Sequence, residues 1–217
     1  MVKIAGGKRK RISDIKVGDS VLAVDEKGTL QFSQVIMHMH RDPEMATEFQ
    51  VIRTKSGRSL TLSEGHMVYK TENANQDLKQ VISSKPVFAK KIGKGDFLIV
   101  NDEYNGMMMD EVVSNDIETL KGIAAPVTMY GNIVVDDILA SCYTDFDPTM
   151  VHMAMAPFRW IQDAKNLLSG MKKKVNHGSS EHELEHIGFH WYPKTLETLM
   201  DDFFPEWRIE KQLKLEL

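Results

Sequence analysis

Ile15-Lys16-Val17-Gly18-Asp19 and Ile92-Gly93-Lys94-Gly95-Asp96 are two copies of one phrase, and the likeness continues outward from both. Val21-Leu22-Ala23-Val24 falls against Leu98-Ile99-Val100-Asn101, one step out of phase, and Val35-Ile36 against Val112-Val113, so residues 15–36 and 92–113 align without a gap. A second block follows. Thr54-Lys55-Ser56-Gly57 with Leu60-Thr61-Leu62 matches Thr128-Met129-Tyr130-Gly131 with Val134-Val135-Asp136. Two strand-rich copies, each too small to bury its own apolar face, predict a pseudo-symmetric pair around one core. Function is expected where the copies diverge: the first closes on Ser63-Glu64-Gly65-His66, the second on Ala140-Ser141-Cys142-Tyr143.

Around this repeat the composition sets bounds. The 217 residues, 42% of them hydrophobic, suffice for one sizeable core with an appendage or for two small domains. A net charge of -4 gives no electrostatic footprint for nucleic acid. The basic run Lys8-Arg9-Lys10-Arg11 leads straight into the first strand of the repeat and reads as a solvated turn instead of a nuclear address. With a single cysteine no internal disulfide can form, leaving Cys142 as a buried small residue, a reactive thiol or one half of a pair. No stretch approaches the ~20 apolar residues that cross a bilayer. Met1 to Lys10 has no apolar signal core, so either the protein is cytosolic or its numbering starts inside a larger precursor.

From Lys3 to about Tyr143, short β-branched or alternating runs separated by turn residues predict a compact all-β domain. Asp25-Glu26-Lys27-Gly28, Lys55-Ser56-Gly57 and Tyr104-Asn105-Gly106 read as hairpin turns, and Thr71 to Gln80 as a polar loop. After Tyr143 the period changes. Met150–Met155 and Trp160–Leu168 are helical in pattern with Pro157 between them, Lys172–Glu185 reads as a linker, and 187–204 as an amphipathic helix with an aromatic face. The division expected is 1–145 and 146–217.

Two histidine patterns invite a metal. His38 and His40 share a face if they lie on a regular strand, as a surface or metal-binding pair. His182-Glu183-Leu184-Glu185-His186 matches the zinc-protease pattern letter for letter, but it lies in a polar linker and no third ligand follows at the needed spacing. No metal site is assigned.

Taken together, Val17–Ala23, Val35-Ile36 before Met39-His40-Arg41, Leu60–His66, Ala125–Thr128 and Gly131–Asp136 running on to Ala140–Tyr143 resemble the carboxy-terminal autoprocessing domain of hedgehog proteins. That domain belongs to the Hint superfamily shared with inteins. The resemblance implies an all-β Hint fold of two pseudo-symmetric units, followed by a small α-helical appendage. Gly188-Phe189-His190-Trp191-Tyr192 is similar to the sterol-recognition region that completes hedgehog precursors. It implies sterol contact by His190, Trp191 and Tyr192.

The implied reaction is self-cleavage through a thioester, then transfer of the acyl group to cholesterol. Ser63 and His66 stand where the family has a threonine and a histidine for the first stage, and His40 where many members have the aspartate that serves as base in the second. Cys142 resembles the family's second cysteine. Read alone, Ser63 and His66 favour a strand end with a core histidine, and Cys142 is as readily an inert buried thiol.

Family members open this domain with a Cys-Phe pair whose thiol is the nucleophile, placed before the position of Met1. The 217 residues are therefore expected to be a truncated domain, inactive alone. The implied partners are cholesterol, as substrate, and an upstream signalling domain in cis. The family also implies the secretory pathway, with membrane association through the carboxy-terminal helices, and no cofactor. The alternatives are an intein-like or other Hint domain that resolves the thioester with water or another nucleophile, and a non-catalytic lipid- or partner-binding fragment.

Overall fold

The computed structural model describes residues 1–144 apart from Glu26, together with Ala156 and Trp160, which are both helical. His190, Trp191, Tyr192, the 182–186 pattern and most of the predicted appendage lie outside the described residues.

The first repeat contributes β1 (Val2–Lys3), β2 (Arg9–Lys10), a 3-10 turn (Ile12–Asp14), β3 (Ser20–Val24), β4 (Leu30–Thr54), β5 (Ser59–Leu62) and β6 (His66–Val68). After β7 (Lys70–Thr71), a short helix α1 (Leu78–Ser83) and β8 (Val87–Phe88), the second repeats the order: a 3-10 turn (Ala89–Lys91), β9 (Phe97–Asp102), β10 (Gly106–Thr128), β11 (Asn132–Val135) and β12 (Ile138–Thr144). The main path of the sheet runs β2-β1-β11-β12-β9-β10-β4-β3, with β5 to β8 joined at its sides, and every pairing is antiparallel.

The repeat is visible bond by bond. Gly18 N–H donates to the Val35 carbonyl at 2.8 Å and Val35 N–H to that of Asp19 at 2.8 Å; Gly95 to Val112 at 2.9 Å and Val112 to Asp96 at 2.7 Å are the same pair in the second copy. Each aspartate then holds the backbone three residues before it, Asp19 accepting from Lys16 N–H at 3.0 Å and Asp96 from Gly93 N–H at 2.7 Å. These bonds put Val21 against Leu98 at the same offset as Ile15 against Ile92, so the phase step read from side-chain character does not exist. It arose because both faces of β3 and β9 are buried, and alternation cannot mark the register.

One cluster takes Val21, Val35, Ile52 and Leu60 from the first copy and Leu98, Val112, Val127 and Ile138 from the second, which is the shared core that neither copy could build alone. A second cluster, Leu22, Val24, Ile99, Val134 and Leu139, is covered by Val81 of α1. That helix corrects the loop expected up to Gln80. The Asp77 side chain accepts from Lys79 N–H at 3.1 Å and caps a turn and a half whose Val81 is buried, too short a run to show as periodicity.

The three predicted turns join β3 to β4, β4 to β5 and β9 to β10, with Gly28, Gly57 and Gly106 at positive φ. The basic run is held in place: Arg9 binds Asp137 through two contacts of 3.1 and 2.9 Å, and Lys10 binds Asp19 at 2.9 Å. Beyond the core, β4 and β10 continue together as a long two-stranded ribbon, interrupted where their register shifts.

Candidate active site

Ser63 and His66 are the two ends of a tight turn between β5 and β6, closed by the His66 amide donating to the Ser63 carbonyl at 3.0 Å. The turn sets both side chains on the wall of a cleft of about 400 Å³, which His40 and Cys142 also line. The four candidate residues, drawn from three separated stretches of sequence, thus meet in one place. A cleft of this size falls in the range of small-molecule sites.

His66 is held by β12. Between Ala140 opposite Val68 and Thr144 opposite His66 the pairing is irregular, and the Ser141 carbonyl released there accepts from His66 Nε2–H at 2.7 Å. Because a carbonyl only accepts, the proton of the neutral ring sits on Nε2 and the lone pair on Nδ1. Burial lowers the His66 pKa below the ordinary 6.5, with the Ser141 contact opposing it, so the ring is neutral at physiological pH.

Cys142 is 2% exposed, and burial pushes its thiol up to about 11 despite Thr128. The Thr128 hydroxyl lies 3.8 Å from Cys142 Sγ. Such a thiol is a weak nucleophile at neutral pH, and of the three readings open in the sequence the inert buried residue is the one its surroundings favour.

His40 reaches the cleft through a bulge. Ala125 opposes His40 while Pro126 opposes His38, so Met39 is an extra residue on β4. A bulge bends the strand and re-aims its side chains, and here Met39 and His40 both line the cleft. His38 instead is 9% exposed with its Nε2 3.1 Å from the Ile15 carbonyl. The alternation argument for a His38/His40 pair fails at this bulge, and among the described residues no group of three metal-binding side chains occurs.

Two features were missed in the sequence. Met1 lines the cleft, held by Asp136, whose N–H donates to the Met1 carbonyl at 2.8 Å while its carboxylate accepts from the Met1 nitrogen at 2.5 Å. Asp136 and Asp137 adopt φ of 48° and 62°, the left-handed pair of a two-residue hairpin turn, for which Asp-Asp between apolar runs was the available signal. The second is an apolar wall containing Phe49, Leu120 and Ile123, far from the repeat motifs.

Comparison with known proteins follows the same lines. The model of the Hint module family matches residues 1–203. Sonic hedgehog protein of Danio rerio is 33% identical over 199 residues, covering 90% of this chain and 46% of the relative. Protein qua-1 of Caenorhabditis elegans is 31% identical over 169 residues, 74% of this chain and 14% of the relative. The chain spans less than half the length of these curated relatives. Among solved structures, a DnaB intein from Synechocystis sp. superposes with a TM-score of 0.52 over 64% of this chain and 92% of the intein, at 14% identity. At that identity the likeness is one of fold.

Proposed function

The chain belongs to the Hint family, and on that premise we propose that it is the autoprocessing module of a longer hedgehog-like protein, which cuts the peptide bond ahead of itself and passes the acyl group to cholesterol. The observation that carries this reading is the convergence of Met1, Ser63, His66 and His40 on one cleft. Residues joined ahead of Met1 enter the module at that cleft.

The nucleophile in this reading is a cysteine upstream of Met1, since Cys142 is buried with its thiol raised. Neutral His66 takes the thiol proton on Nδ1. The sulfur attacks the preceding carbonyl carbon, polarised by the Ser63 hydroxyl, the C–N bond breaks, and His66 returns the proton to the departing amine. In the second stage His40 takes the sterol hydroxyl proton, the oxygen attacks the thioester carbonyl, and the C–S bond breaks with His40 reprotonating the thiolate. Cholesterol and the upstream domain in cis are the proposed partners, no cofactor is needed, and the secretory pathway is the proposed location. The 217 residues alone hold the acid–base groups without a competent thiol and so do not cleave.

The test joins a reporter and a Cys-Phe-bearing segment ahead of Met1 and adds cholesterol. The reporter should be released as a sterol ester. His66→Ala should abolish release by any nucleophile, whereas His40→Ala should block ester formation and leave release by added thiol intact. A reporter released only as the free acid would reject sterol transfer, and cleavage of a reporter fused directly to Met1 would reject the upstream thiol.

A further inference from the structure

The wall that leads away from His40 has an order of its own. Ala125 opposes His40 across the ribbon and Ile123 stands two residues further along β10, on the same face. At Gly122, with φ of 95°, the register shifts, and this brings Leu120 onto the side where Ile123 and Ala125 already stand; all three line the cleft. Phe49, opposite Glu118 on β4, completes the row as the diagonal neighbour of Leu120. The row therefore starts at an imidazole and continues as an apolar strip of roughly 15 Å, by the rise per strand residue, with Lys121 and Gly122 also on the cleft wall where the register shifts.

Leu120 marks what the strip is for. It is 39% exposed, while Phe49 beside it is 9% exposed. The strip is a sheet face, and the backbone groups of β4 and β10 lie in the plane of the ribbon instead of pointing out of that face. An extended peptide lying on a face finds no ladder partners, whereas a rigid carbon skeleton needs none.

We infer that Phe49, Leu120 and Ile123 form the β unit's part of the specificity-determining surface for the acceptor alcohol, its fused-ring skeleton lying along the ribbon with the hydroxyl at His40. The inference rests on the proposed transfer to a sterol and adds the part of the β unit that selects it.

The experiment uses the full 217-residue chain and a photoactivatable cholesterol analogue delivered from cyclodextrin, with adducts mapped by mass spectrometry. Adducts should fall on residues 39–49 and 120–125 and be competed by cholesterol. Leu120→Asp should lower them about tenfold, as expected when an apolar contact is lost and a carboxylate is buried. Leu120→Met should restore them. Ile117→Asp, at a 64% exposed site on the opposite face, is the folding-matched control and should leave labelling unchanged. Adducts confined to 145–217 and indifferent to Leu120→Asp would overturn the inference while leaving sterol transfer standing. Absence of any adduct that cholesterol competes would overturn both.

Discussion

His66 shows how a single residue is tuned by a carbonyl from the other repeat. Its lowered pKa has a definite sign: the neutral ring that the proposed first stage calls for persists somewhat below pH 6.5, the point at which an ordinary histidine is half protonated. With an upstream cysteine in place, thiol-driven cleavage, divided by the thiolate fraction of the added thiol, should hold through pH 6.5 and fall only beneath it, and a corrected rate already halved at 6.5 would contradict the burial argument. The same shift links to folding. Stability from neutral His66 is present above 6.5 and is lost as pH drops from 6.5 through the lower folded value, because the unfolded chain binds the proton first. Cys142 makes the complementary case. With its thiol near 11 instead of 9.0, the native protein at pH 8 should react with iodoacetamide about a hundredfold more slowly than the urea-unfolded chain, measured by mass.

At the scale of elements, the two aspartates that lock the repeat's turns are equivalent in pattern and unequal in environment. Asp19 is partly exposed. Burial raises its pKa, but the Lys16 amide and Lys10 outweigh that and hold the carboxyl below its ordinary value. Asp96 is 8% exposed, and besides Gly93 N–H it binds Lys70 at 2.9 Å. Removing Asp96 leaves the half-buried Lys70 only its longer, 3.6 Å contact with the exposed Glu72, so Asp96→Ala should cost about 2–4 kcal/mol in urea denaturation and Asp19→Ala only about 1. Equal losses would mean that the lysine contact contributes nothing.

The equivalence of these two segments was legible in the sequence because Ile15-Lys16-Val17-Gly18-Asp19 and Ile92-Gly93-Lys94-Gly95-Asp96 are one phrase written twice. Ser63, His66, His40 and Cys142 were legible as candidates through family motifs, but their meeting in one cleft was not. That depends on the bulge at Met39, the shift at Gly122 and the irregular stretch of β12, and each breaks the alternation from which a strand's faces are read. The Phe49–Leu120 wall was hidden for the same reason, since its members change parity along the strand.

For the whole molecule, the described core is built within residues 1–144. Both clusters draw on both copies, and every described cleft residue comes from this span, with Thr144 at its edge. We propose that the division near 145 separates two tasks, thioester formation in the β unit and sterol capture shared with 146–217. The sequence in the latter carries His190, Trp191 and Tyr192. A chain ending at Thr144, with reporter and upstream cysteine, should melt cooperatively and still release the reporter to added thiol, because Ser63, His66 and Ser141 are all retained. It should no longer form the sterol ester at a cholesterol concentration that saturates the full chain. If the shortened chain transfers sterol as well as the full one, the strip from His40 to Leu120 is sufficient and the carboxy-terminal residues serve another purpose. Loss of thiol-driven release in a protein that still melts cooperatively would instead place part of the first-stage machinery beyond residue 144.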